Sequence, residues 1–274
     1  MTLKARNRIF QFFLYISFAS LIISLTVFFL TLARGTLAPL PSFRLPAFMS
    51  KLSFAKQNIV PTFISLFFLG LYVPVVLFYI FRYFENTQSS EIIFFSAFLF
   101  GILCEAARFY TICFNVWETF TNLLIFLGNI VLFGRIIAPL SFVCASIFSE
   151  SEQRQDIERN YMLVTVSSFI FAIVIPLNTA KISSTGLVIE SSMALLNCAR
   201  FILIILSAIS FYIKSIRHAN KDYIFAGNWM LALYLGYALL VSADNYLFMI
   251  LGTGLLYTGT YFYLKTLHKM YMWL

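Results

Sequence analysis

Charge is scarce in this sequence: Asp, Glu, Lys and Arg make up 11% of its 274 residues, against roughly a quarter in a soluble domain. Too few ionised side chains remain to cover a water-exposed globule, so the net charge of +8 does not describe a nucleic-acid-binding protein. Cysteine is scarce as well. Cys104, Cys113, Cys144 and Cys198 all fall in or at the ends of apolar segments, which leaves no disulfide framework and no Cys-rich metal site outside a membrane. No Asn-x-Ser/Thr acceptor occurs, which argues against a glycosylated surface receptor. The two histidines, His218 and His268, stand among lysines and arginines and read as part of a positive rim.

The residue patterns of soluble catalysis are missing too. None of G-x-S-x-G, H-E-x-x-H, G-x-x-x-x-G-K-S/T or G-x-G-x-x-G is present, so neither a nucleophile elbow, a zinc pair nor a nucleotide loop is spelled out. The sequence therefore predicts no catalytic residues, no metal and no cofactor, and leans away from an enzyme. An intramembrane hydrolase built on Glu105 or Asp244 is a minor alternative.

What the chain has is apolar length. Hydrophobic residues make up 61% and aromatics 19%, in runs long enough to cross a hydrocarbon core of about 30 Å. Reading those runs against their breakers predicts an all-α, polytopic transmembrane bundle of eight spans: Ile9–Leu32, Ile59–Phe81, Ile92–Cys113, Phe120–Ile147, Tyr161–Leu177, Ser191–Ile213, Ile224–Ser242 and Tyr246–Leu264. The whole of 1–274 is read as one integral membrane domain, with the first span a retained helix rather than a cleaved signal.

Basic residues set the expected orientation. With the N-terminus cytoplasmic, that side holds Lys4, Arg6, Arg8, Arg82, Arg154, Arg159, Lys214, Arg217, Lys221, Lys265 and Lys269. The other side holds Arg34, Arg44, Lys51, Lys56 and Lys181. Eleven against five predicts both termini inside, in a membrane of the bacterial cytoplasmic type. The bilayer and its anionic lipids are the expected partners, with a membrane protein partner for any signalling output and no nucleic acid.

The loops are short. Residues 33–58 carry three prolines and four basic residues and read either as a basic amphipathic segment on the outer leaflet, through Phe48, Leu52 and Ala55, or as an irregular connector. Ser149-Glu150-Ser151-Glu152 matches a capping box, with Arg154 spaced to pair Glu150 and Glu158. Ala107-Arg108-Phe109 recurs as Ala199-Arg200-Phe201, a faint echo of an inverted repeat.

Sixteen of the nineteen basic residues lie outside the spans; Arg108, Arg135 and Arg200 lie inside, with one embedded acid, Glu105. Burying a charge mid-bilayer costs ~2.5–3.5 kcal/mol even on the low scales, so these residues should face the bundle interior and one another. Arg135 is deepest, about 20 Å from either end of its span at ~1.5 Å per residue. Pro139 leaves the Arg135 carbonyl without its helical donor, and Gly134-Arg135 is a candidate break. Glu105 and Arg135 converge because side chains tilt toward the helix N-terminus on oppositely directed neighbours, which predicts an ion pair. In the sixth span Glu190, Asn197, Arg200 and Ser207 form one stripe.

Two readings follow. In the first, Glu105, with Glu118, Glu190 and Asp244, neutralises all three arginines and fixes the packing. Alternatively Arg108, Arg135, Arg200, Glu105 and Asn197 form an outward-opening pocket for an anionic small molecule or lipid headgroup, which guanidinium binds bidentately. The expected function is non-enzymatic recognition by a sensor or accessory subunit; the alternatives are a small anion transporter and a lipid-modifying enzyme.

Overall fold

A computed structural model describes residues 3–35, 57–85, 87, 89–119, 121–148 and 157–272. Within them, eight helices are long and apolar enough to cross a membrane. They are α1 (Leu3–Arg34), α2 (Ile59–Phe84), the pair α3 (Ser90–Cys104) and α4 (Ala107–Cys113), α6 (Thr121–Ile147), α7 (Ile157–Val174), α8 (Met193–His218), α9 (Asp222–Val241) and α10 (Tyr246–Met272). A single turn, α5 (Val116–Thr119), links α4 to α6. The chain is thus a multi-pass helical membrane protein. The amphipathic reading of residues 36–56 and the capping box at 149–152 lie outside the described residues.

Three features depart from the expected helices. The third span breaks at Glu105 and Ala106, where the backbone tightens to i→i−3 bonds: Glu105 N donates to Ile102 O and Arg108 N to Glu105 O, both at 3.0 Å. The expected break at Gly134-Arg135 does not occur, for α6 runs on through Pro139. The fifth span ends at Val174, because Pro176 disfavours helical geometry in the residue before it.

Leu177, expected to end that helix, instead starts β1 (Leu177–Ile182), which pairs antiparallel with β2 (Val188–Glu190). The all-α bundle thus carries one small two-stranded hairpin between α7 and α8. This hairpin packs down on the bundle: Ile182, Thr185, Leu187 and Val188 are buried. At Gly128 of α6, a Cβ would come within 2.7 Å of Leu177.

α3 is the hub. Ile92, Phe94, Phe95, Phe98, Leu99 and Ile102 are at most 1% exposed, so this helix is covered over most of its surface, with Phe100 on the open side. Its crossing with α6 is made by two glycines, since a Cβ on Gly101 would lie 2.6 Å from the Gly134 carbonyl oxygen, and one on Gly134 would strike the Gly101 carbonyl. Small residues let two backbones meet where lipid supplies no hydrophobic drive to pack them.

Two charged residues have different roles from those their positions imply. Arg6, counted among the topology charges, is 3% exposed and donates to the carbonyls of Phe84 (2.7 Å), Glu85 (3.0 Å) and Thr87. It thereby satisfies the orphan carbonyls that end α2. Below it, α1 meets the bundle through buried Phe10, Ser17, Ser24 and Thr31, spaced every seven residues, with Phe13, Leu14, Val27 and Phe28 packed partly buried beside them. Glu91, in the first turn of α3, is 1% exposed. Its carboxylate accepts from Ser89 Oγ (3.0 Å), Ser90 Oγ (3.2 Å) and the Tyr271 hydroxyl, tying the end of α10 to the start of α3.

The glycine crossing yields a direct test. Gly134→Val forces a side chain into a backbone carbonyl, and overpacking of that kind costs about 1–3 kcal/mol or more. We expect a lowered melting temperature and loss of monodisperse protein in detergent. Gly254→Ala, at a position with open space around it, should melt like the native protein; equal melting of both variants would show that the crossing is not close-packed.

Candidate functional site

Glu105 sits where the third span changes from α3 to α4, and this break turns its side chain toward three other elements. The carboxylate is 0% exposed. It accepts from Arg135 Nε of α6 at 2.9 Å and Nη2 at 3.5 Å. Arg108 Nη1, one turn along in α4, lies at 3.2 Å, and the Tyr237 hydroxyl of α9 donates at 3.2 Å. The convergence of Glu105 and Arg135 follows from the N-terminal tilt of side chains on antiparallel helices.

Arg108 is fully engaged. It is 0% exposed; besides Glu105 it donates through Nε and Nη2 to the Thr185 carbonyl (3.2 and 2.6 Å) and through Nη1 to the Val241 carbonyl (3.1 Å). The hairpin thus lies over the cluster and is fastened to it. The expected opening toward the outer face is corrected: β1 and β2 cover it, and Ser184 Oγ anchors the same loop to Asp244 at 3.0 Å. Arg108, with every direction of its guanidinium occupied, is a structural member of the cluster.

Arg200 lies on the far edge. Its Nη2 donates to Glu190 Oε1 at 2.7 Å and its Nη1 to Asn197 Oδ1 at 2.9 Å. Ser207 Oγ donates to the Phe142 carbonyl at 2.8 Å and sets the register between α8 and α6; seven residues earlier on each helix, Arg200 and Arg135 stand at the same depth. Antiparallel α9 is brought level by the contact of Ser207 with Met230 (3.1 Å), which places Tyr237 opposite Arg200. Glu190 acts electrostatically on Arg135 as well, so the two ion-paired groups form one cluster.

The cluster is not fully closed. Three guanidiniums face two carboxylates, Glu105 and Glu190. Among the described residues Asp244 pairs with no arginine: Gln57, Ser184 and Asn245 donate to it. Glu190 Oε2 and Arg200 Nε are buried without a partner. Arg135 retains 9% exposure, and its Nη1 has no hydrogen-bond partner among the described residues. The two buried unsatisfied atoms both belong to the Glu190–Arg200 pair, where the end of β2 meets α8. A buried polar atom without a partner costs free energy and calls for an explanation.

The inward end is closed by aromatic rings. Phe98 meets Tyr237 edge-on at 5.6 Å and Phe142 at 4.7 Å, with Phe95 and Tyr263 behind them. All but Tyr237, at 3%, are 0% exposed.

Sequence reasoning named Glu105, Arg108, Arg135, Asn197 and Arg200, and the structure joins the first three directly. Asn197 is exposed and reaches the cluster only through Arg200. The partners it missed are Tyr237, an aromatic within a span and so indistinguishable from core filler, and the carbonyls of Thr185 and Val241, which carry no side-chain signal. Tyr257 of α10 faces inward, donating to the Phe68 carbonyl at 3.1 Å. Tyr261 is 50% exposed.

Removing Glu105 leaves two buried guanidiniums facing each other, whereas removing it together with Arg135 removes a pair. Losing one partner of a buried pair costs about 3–5 kcal/mol, and losing both can be near neutral. We expect Glu105→Gln to lose most folded protein and Glu105→Gln/Arg135→Gln to recover it, as read by thermal melts in detergent. Additive losses in the double variant would mean the two charges do not stabilise one another.

No family model matches this chain, and no solved structure matches it. An uncharacterized protein of Treponema pallidum (strain Nichols) is 30% identical over 197 residues, 62% of this chain and 56% of that protein. The chain spans about half the length of that relative.

Proposed function

We propose that this membrane protein recognises an anionic group at the Arg135–Arg200 side of the cluster, as a sensor or an accessory subunit rather than as an enzyme. The observation that carries the reading is the surplus of one guanidinium over the carboxylates Glu105 and Glu190, together with the buried, unpartnered Nε of Arg200 and the partial exposure of Arg135. An anion placed there would accept from Arg135 Nη1 and Arg200 Nε and cancel the excess charge, the use to which guanidinium forks are best suited. Arg108 positions Glu105 and does not touch the ligand. Both termini lie on the more basic, cytoplasmic side in this reading, in a bacterial inner membrane, and a membrane partner carries the signal.

A second reading is a small anion carrier, favoured by the break at Glu105, since interrupted helices at mid-depth are a common substrate cradle. The sealed aromatic floor beneath the cluster favours recognition over passage.

Arg135→Lys keeps the charge beside Glu105 but removes the fork, and Arg200→Gln removes the edge donor. One charge-assisted hydrogen bond contributes about 1.5–3 kcal/mol, so each variant should weaken anion binding about 10–100-fold while the protein stays folded. Native mass spectrometry of the purified protein for a co-purifying anion reads this; an equally occupied Arg135→Lys variant would overturn the assignment. Arg135-dependent anion flux in proteoliposomes would replace the sensor with the carrier.

A further inference from the structure

The route into the site is set by α8. None of its residues from Met193 to Leu203 is buried, while Ile204, Ser207, Ala208 and Phe211 beyond them are. The first turns of α8 thus stand clear of the bundle, held by Arg200 through its bonds to Glu190 and Asn197. The residues around them are apolar and open: Leu195 is 69% exposed, Phe201 55% and, across on α9, Leu235 47%. The outer approach is shut by the hairpin and the inner one by the aromatic floor. What remains is a sideways approach from hydrocarbon.

Depth fits the head of a lipid. At ~1.5 Å per residue the 26 residues of α8 span about 39 Å, some 9 Å more than a hydrocarbon core of about 30 Å. Arg200 is seven residues in, about 10 Å from the helix start, and so about 6 Å inside the hydrocarbon boundary when α8 is centred; the Ser207–Phe142 register brings Arg135, expected from its span to lie deepest, to the same level, because the first half of α6 packs beside the hairpin at Gly128. A headgroup drawn inward by that distance meets Arg200 while its chains lie along the exposed apolar face.

We infer that the anion recognised here is the phosphodiester of a membrane phospholipid, entering sideways between the start of α8 and the body of the bundle. The inference rests on the anion-binding reading and names its ligand. A singly charged phosphodiester matches the surplus of one guanidinium, and it offers oxygens to both Arg135 and Arg200. A water-soluble anion has the charge but would have to cross hydrocarbon to arrive.

The test compares one headgroup with and without acyl chains. Delipidated full-length protein in neutral detergent is titrated with phosphatidylglycerol, with glycerophosphoglycerol and with inorganic phosphate, and bound species are counted by native mass spectrometry. We expect one tightly held phosphatidylglycerol, with the chain-free headgroup about 100-fold weaker because acyl burial is lost. Arg200→Gln and Arg135→Lys should each weaken the lipid at least about ten-fold, the scale of one charge-assisted bond. Arg200→Gln/Glu190→Gln keeps the edge neutral and serves where the single variant does not fold. Ile216→Ala, at a residue 83% exposed on the far end of α8, should bind normally. If the chain-free headgroup or phosphate binds as tightly as the lipid, with the same arginine dependence, the phospholipid inference fails and the anion reading stands. If nothing binds, or if lipid binds equally to the arginine variants, both fail.

Discussion

One carboxylate organises the polar half of this bundle. Among the described residues Glu105 is the sole acid in contact with Arg108 and Arg135, and in a medium without water neither guanidinium has a comparable alternative. The requirement reaches outward from it. The third span must break so that Glu105 and Arg108 share one side, and α6 must approach closely enough for Arg135 to arrive, which Gly101 and Gly134 permit. The hairpin and the end of α9 must then supply carbonyls for the donors of Arg108 that Glu105 leaves over.

Such a cluster is better understood as specifying an arrangement than as adding stability. Buried ion pairs repay their desolvation only with full hydrogen bonding, and apolar replacements of like volume are often as stable. Packing in lipid, by contrast, discriminates weakly between helix registers, because every apolar face is equally content against acyl chains. Sliding α6 by one residue would turn Arg135 through about 100° and strand it in hydrocarbon. The charges thus select one register among many apolar ones. Glu91 and Arg6 play the same part at the opposite end, joining α3 to α10 and α1 to α2.

The sequence disclosed the spans because apolar length against a bilayer is a strong constraint, and it disclosed the Glu105–Arg135 meeting because helix direction and side-chain tilt follow from topology. It did not disclose the hairpin at 177–190. Six residues of Leu177–Ile182 carry no sustained alternation, and their strand character comes from pairing with Val188–Glu190 over an apolar surface on α6 that only the fold creates. The break at Glu105 was hidden for a related reason: neither glycine nor proline marks it, and Pro139, the residue that does mark a break, sits in a helix whose neighbours hold it continuous. Arg6 misled because a basic residue near a span end looks the same whether it faces water or caps a neighbouring helix.

Under the proposed function, the polar and apolar halves of the bundle divide the work between holding a ligand and refusing it passage. The polar half has a cationic surplus, a hairpin fastened by Arg108, and exposed turns at the start of α8. In the apolar half Phe95, Phe98, Phe142 and Tyr263 interlock without exposure, and close-packed interiors respond to displacement by shifting as units rather than by yielding locally. A ligand at Arg135 therefore meets a wall whose first ring, Phe98, rests on Tyr237, itself hydrogen-bonded to Glu105. Drawing Arg135 toward an anion loosens its hold on Glu105, and Tyr237 and Phe98 are the next groups to feel that change. The same contacts that would stop a ligand from crossing thus connect its arrival to the packing of α3 and α9, a coupling that the proposed sensor uses and the alternative carrier would have to dismantle.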